Sequence, residues 1–193
     1  MSLGPTGYPF EDFIAKVLQT QGFSTKVRQI MTGKCVSHEI DIVAQKDNKT
    51  SMIEAKFHNS MSTRSEIHVA LYTRARFLDI KEKNQIDNVW LVTNTKTTID
   101  ATTYALCEGL KIISWRYPKD NSLENLIERK GLYPITILPS FSRYAGERLA
   151  QQKIMLVKNL PQYSADNLSK KTGLKLHIIQ RLQAEAMQII NGA

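Results

Sequence analysis

Cysteine is scarce: Cys35 and Cys107 are the only two in 193 residues and lie 72 positions apart, which rules out a disulfide framework. A structural zinc site is excluded on similar grounds, because Cys35-x₂-His38 is half of a knuckle and no second half is present. Both thiols are expected to be buried and reduced. No stretch approaches the roughly 18 uninterrupted apolar residues that a membrane span requires. The opening MSLGPTGYPF has no basic stretch followed by an apolar segment, so no secretory signal is read there. A cytoplasmic address is expected, and Met1-Ser2-Leu3 has the character of a cloning remnant. Internal repeats and low-complexity stretches are also missing. What is present is 42% hydrophobic and 23% charged, too apolar for a disordered chain and sized for one domain with a small appendage. Acidic residues are outnumbered, 18 to 26, giving a net charge of +8 and making a polyanion the first partner to consider.

Phe10, Phe13, Ile14, Val17 and Leu18 fall at i, i+3, i+4, i+7 and i+8, which predicts an amphipathic helix stopped by Gly22. Residues 26–31 and 39–44 are short branched segments, and 50–57 resumes after Asp47-Asn48, which predicts strands with a hairpin turning at that pair. From Ser65 to Lys83 the pattern is helical, with Ile67, Leu71, Ala75 and Leu78 expected inward and Arg64, His68, Arg74 and Arg76 elsewhere. Residues 89–93 and 111–115 are strand-length apolar runs separated by a helical stretch and Gly109, a crossover that implies parallel pairing. The order α-β-β-β-α-β-α-β predicts an α/β fold with a mixed sheet flanked by helices. Pro118, Gly131, Pro134 and Pro139 punctuate the chain after the last strand, and beyond Ser140 only helical patterns remain. The expected division is therefore 1–139 and a basic helical region 140–193, the stretch from Phe141 carrying a net charge of +5.

A turn at Asp47-Asn48 sets Asp41 opposite Glu54, Glu39 opposite Lys56 and Ile42 opposite Ile53. The period of two then puts Glu39, Asp41, Glu54 and Lys56 on one sheet face, and Ile40, Ile42, Ile53 and Ala55 on the core face. Directly opposed β-carbons are roughly 4.5–5.5 Å apart, so the two carboxylates repel and something must offset the repulsion. A hard divalent cation does so, and an amine at Lys56 beside it makes a hydrolytic arrangement. The plain alternative is a solvated face whose surface ion pairs contribute about 0–1 kcal/mol each.

Asp41, twelve intervening residues, then Glu54-Ala55-Lys56 resembles the PD-(D/E)xK nuclease signature. Gly7-Tyr8-Pro9-Phe10-Glu11 opening the first helix, followed by Gly22-Phe23, is similar to the start of Mrr-like restriction endonuclease domains, in which a helical Glu supports the metal site; Glu11 matches it. The stretch WLVTNTKTTIDATTYALCEGLKIISW resembles the crossover unit that follows the active-site hairpin in that family. Two departures stand out: His38-Glu39-Ile40 precedes Asp41 with no proline, and many Mrr-like proteins carry Gln where Glu54 stands. The resemblance implies a restriction-endonuclease-like fold and Mg²⁺-dependent hydrolysis of DNA, with Mn²⁺ substituting. Asp41 and Glu54 would ligate the metal, Lys56 assist attack and Glu11 support the metal or its waters. Some relatives carry an ATP-cone, a domain not visible here, and double-strand cutting implies a homodimer.

Arg64, Arg74 and Arg76 on the long helix are candidates for the DNA backbone. In the tail, Ser164 starts a helix, Gly173 breaks it and a second follows with Leu176, Ile179, Leu182, Ala186 and Ile189 inward. Lys170, Lys171 and Lys175 cluster at that turn, similar to a helix-hairpin-helix DNA clamp with a single glycine; a helical cap on the core or on a second subunit is the other reading. Two further functions remain open: a non-catalytic DNA-binding or regulatory module, and a structure-specific resolvase or single-strand nuclease.

Overall fold

A computed structural model describes residues 8–192; the readings made on Met1-Ser2-Leu3 and on Gly7 lie outside them. The first unit, Phe10–Leu126, contains α1 (Tyr8–Gln19, entering from just before it), β1 (Ser24–Thr32), β2 (Ser37–Lys46), β3 (Lys49–Lys56), α2 (Ile67–Asn84), β4 (Asn88–Thr93), α3 (Ile99–Cys107) and β5 (Leu110–Ile113). The strands form one sheet in the order β1-β2-β3-β4-β5, antiparallel from β1 to β3 and parallel from β3 to β5. This is the expected mixed α/β arrangement, in the expected element order.

The hairpin register is the one read from the turn: Ile42 lies opposite Ile53 and Lys46 opposite Lys49. Asp47 and Asn48 take φ of 51° and 58°, the left-handed pair of a two-residue type I′ turn, which short polar side chains tolerate. The ladder to β3 stops at Ile42, and the ladder to β1 skips from Val27–Ile42 to Gln29–Ile40. Asp41 thus falls outside both ladders. Ile40 packs in one buried cluster with Met52 and with Val69, Ala70, Phe77 and Ile80 of α2, so the two-residue alternation does not run unbroken through β2.

Both faces of the central strands are covered, which corrects the expectation of one core face and one open acidic face. Met52, Val89 and Leu91 pack beneath α2, while Ile42, Ile53, Ala55 and Val92 are buried on the other side. Two covered faces are the usual state of parallel pairing, since crossover helices lie on the sheet. The phase of α2 is also corrected. Its inward residues are Val69, Ala70, Thr73, Arg76, Phe77 and Ile80, while Ile67, Leu71 and Leu78 are exposed. The helix turns a charged residue inward because Arg76 finds acceptors there. The two cysteines are exposed rather than buried: Cys35 sits in the β1–β2 turn and Cys107 ends α3.

After β5, α4 (Leu123–Glu128) leads into a second compact unit formed largely by the chain beyond Leu126. It holds α5 (Arg143–Gln151), α6 (Ala165–Thr172) and α7 (Leu176–Gly192) around a core that includes Leu149, Leu160, Leu168, Ile179, Leu182 and Ala186. Ser142 and Ser164 cap α5 and α6 by accepting the amides of Ala145 and Asn167, and Gly173 ends α6 at φ 70°. Leu176, expected inward on α7, is instead exposed. Among the described residues no helix is long and apolar enough to cross a membrane.

The phase of α2 is directly testable. Phe77→Ala should cost about 3–5 kcal/mol and Leu78→Ala under about 0.5 kcal/mol in urea unfolding, since only the first empties a core site. Equal costs, or the reverse order, would restore the phase read from the sequence.

Candidate active site

Asp41 is half-buried, and with no ladder partner its side chain is free to turn along the strand: Oδ2 accepts the amide of Ala55 at 2.8 Å, between Glu54 and Lys56. Lys56 is the last residue of β3 and lies in register with Thr93 at the end of β4. Glu54 is two residues earlier, on the face beneath α2, where it is held by Nη1 of Arg76. Nη2 of the same guanidinium donates to the carbonyl of Glu39, and its Nε is buried without a partner. Across the site, Glu11 of α1 is 7% exposed and meets Nη1 of Arg28 at 3.1 Å, while Nη2 reaches Asp12 at 2.8 Å. Arg28 is the β1 residue at which the ladder skips Asp41, and its φ of 51° marks the irregularity.

The three acids share one electrostatic condition. Burial is the largest influence on each and pushes its carboxyl up, Glu54 to about 7. The charge of Asp41 adds to the rise at both Glu11 and Glu54, and Arg76 and Lys56 pull Glu54 partly back. Carboxylate oxygens of this kind are the donors a hard divalent cation takes, so the donor chemistry fits such an ion. Their present positions differ from a finished ligand set. Among the described residues no three His, Cys, Asp or Glu groups converge closely enough to hold a metal, and Arg28 and Arg76 engage Glu11 and Glu54.

The candidate DNA contacts separate. Arg64, Lys170, Lys171 and Lys175 are exposed, with Lys171 Nζ 5.5 Å from the Tyr163 ring centre. Arg74 pairs with Glu108 at 3.1 Å and lies over Phe77, and Arg76 is buried against Glu54, so the outward placement read for Arg76 is corrected. In the structure Arg76 stands at i+3 from Thr73 and i−4 from Ile80 on the buried stripe of α2, a phase that hydrophobicity alone does not give.

A second polar cluster gave no sequence signal. His58 Nε2 meets Ser65 Oγ at 2.9 Å, and Ser65 Oγ donates to Thr93 Oγ1 at 3.1 Å. The Asn94 side chain accepts the amide of His58 at 2.8 Å and donates to its carbonyl at 2.7 Å, which extends the β3–β4 pairing beyond Lys56. His38 Nε2 meets Oδ2 of Asp79 on α2 at 2.9 Å.

A mixed five-stranded sheet with paired acids on the second and third strands and a lysine at the end of the third defines a restriction-endonuclease-like α/β domain. Residues 5–116 match the Mrr-type Restriction endonuclease family, and the chain belongs to it. Residues 133–190 match the family described as AF1548-like, C-terminal. An "Uncharacterized protein" of Archaeoglobus fulgidus is 38% identical over 177 residues, covering 92% of this chain and 99% of its own. The crystal structure titled as the protein of unknown function AF1548 superposes with a TM-score of 0.86 at 36% identity, covering 97% of this chain and all of that one.

The Arg76–Glu54 pair carries a pH signature. In the fold Glu54 takes up a proton as pH falls through about 7, well above its ordinary 4.5, and a protonated Glu54 no longer needs the guanidinium. Arg76→Ala should therefore cost about 3 kcal/mol at pH 8 and clearly less at pH 5.5, measured by urea unfolding in EDTA. A penalty that stays constant or grows on acidification would contradict the pairing.

Proposed function

We propose that this chain is a metal-dependent DNA endonuclease of the restriction type. The observation that carries the reading is the release of Asp41 from both ladders into contact with the Ala55 amide, between the acid and the lysine of the signature. Asp41 and Glu54 would hold Mg²⁺, or Mn²⁺ in its place, with Glu11 supporting it through α1. The chemistry such a cation supplies is acidification of a water and polarisation of a phosphoryl oxygen. Lys56, at the strand end, positions the attacking water and neutralises charge developing on the phosphate. Arg28 keeps Glu11 turned to the sheet, and Asn94 fixes the backbone that carries Lys56.

Lys170, Lys171, Lys175 and Arg64 serve as phosphate contacts, which position a duplex without reading it. A homodimer supplies the second cut of a double-strand break, and a cytoplasmic address goes with a DNA substrate. One observation favours a second reading: with Arg76 on Glu54, the domain could bind DNA without cutting it.

Supercoiled plasmid incubated with Mg²⁺ distinguishes the two. The parent should nick it, and Asp41→Asn and Lys56→Ala should each lose about 100-fold or more in rate. Equal nicking by all three proteins rejects the assignment, and retention of DNA without nicking favours the binding module.

A further inference from the structure

The C-terminal ends of the parallel strands hold a cavity outside the acid cluster. It is an open groove of about 420 Å³ lined by residues that follow β4, open α3 and follow β5, among them Lys96, Ile99, Thr103, Ser114, Arg116 and Tyr117. That volume falls in the range of small-molecule sites and accommodates a sugar, a base and a phosphate. No carboxylate lines it, whereas two cations and several hydroxyls do. Arg116 makes one solvent-exposed ion pair, with Glu124 at 3.3 Å, of the sort that contributes about 0–1 kcal/mol and is readily exchanged for phosphate. Half-buried Tyr117 and Ile99, which is 81% exposed, add apolar surface on which a base can stack.

The walls are tied to the catalytic strand. Ser65, whose hydroxyl meets His58 and Thr93, donates its amide to the Lys96 carbonyl at 2.9 Å, and its own carbonyl accepts the Thr98 amide at 3.1 Å. The end of β3 at Lys56 and the end of β5 at Ile113 are two strands apart, about 10 Å. A nucleic acid strand crossing these ends can therefore place one phosphate at Lys56 and a nearby one in the cavity.

We propose that this cavity is a subsite for one phosphorylated nucleoside unit, with Lys96 and Arg116 on the phosphate and Tyr117 against the base. The unit comes either from a bound strand, in which case the inference rests on the nuclease reading, or from a free mononucleotide. The test uses the full chain in EDTA, so that no cleavage is needed, with two probes: a labelled single strand of about 12 nucleotides and dTMP. Lys96→Ala/Arg116→Ala should weaken strand binding by about 10-fold and flatten its salt dependence by about 0.7 in slope for each phosphate no longer neutralised, with an unchanged urea midpoint. In the parent, the Thr103 methyl resonance should shift on titration with the strand. A Thr103 shift with dTMP that the double variant abolishes, while strand affinity stays intact, supports the cavity with a free nucleotide as its occupant. Unchanged strand affinity together with an unshifted Thr103 methyl for both probes overturns the proposal. A parent that never nicks plasmid, yet binds the strand through Lys96 and Arg116, removes the nuclease reading and leaves the subsite; nicking with neither probe felt at the cavity does the reverse.

Discussion

Three buried carboxylates that feel one another's charge across a covered sheet, Asp41 and Glu54 on its interior strands and Glu11 on α1, are the constraint around which this domain is organised. Two unit charges about 5 Å apart at an effective dielectric near 20 repel by about 3 kcal/mol, a sizeable fraction of a domain's stability. Burial of Glu11, Asp41 and Glu54 adds to that cost, which is why each carboxyl is pushed toward its neutral form. Neighbouring donors answer it: Arg28 on Glu11 and Asp12, Arg76 on Glu54, and the Ala55 amide on Asp41. Both arginines are structural consequences of the acids. An inward arginine on α2 and a left-handed residue in the middle of β1 make little sense without them.

The same constraint explains where regular structure stops. An antiparallel ladder continued through Asp41 would fix its backbone in the pleat and aim the side chain straight out of the sheet. Skipping Arg28–Asp41 on one side and ending at Ile42–Ile53 on the other frees the carboxylate to lie along the strand and accept the Ala55 amide. Pairing resumes in a different form beyond Lys56, where Asn94 clamps both backbone groups of His58. The lysine therefore sits on a backbone anchored on both sides of it, while the acid beside it is released from its ladders.

Element order and the hairpin register were legible in the sequence because they follow from local signals. A polar turn at Asp47-Asn48 counts the pairs outward, and Gly109 separates helix from strand. The phase of α2 was not legible, because hydrophobicity places Leu71 and Leu78 inward and Arg76 outward, and the structure does the opposite. The burial value of a residue here depends on what lies across from it, and the acceptors for Arg76 come from β2 and β3, more than 20 positions away. Cys35 and Cys107 were misjudged for a related reason: their polarity suits a core, but a turn and a helix end leave them at the surface. Residue types at the candidate site could be read; the cations that accompany them could not, since a long-range ion pair leaves no period in the chain.

Arg76 therefore bears on the functional reading more than any residue of the signature. A guanidinium and a divalent cation would each answer the same need at Glu54, the compensation of a buried carboxylate charge. On the proposed nuclease reading the arginine is a counter-ion that gives way to the cation, with Asp41 outside both ladders and Lys56 at the clamped strand end. Any such exchange must release the guanidinium from Glu54, from the Glu39 carbonyl and from the Tyr72 ring it lies over, while its buried Nε makes no hydrogen bond.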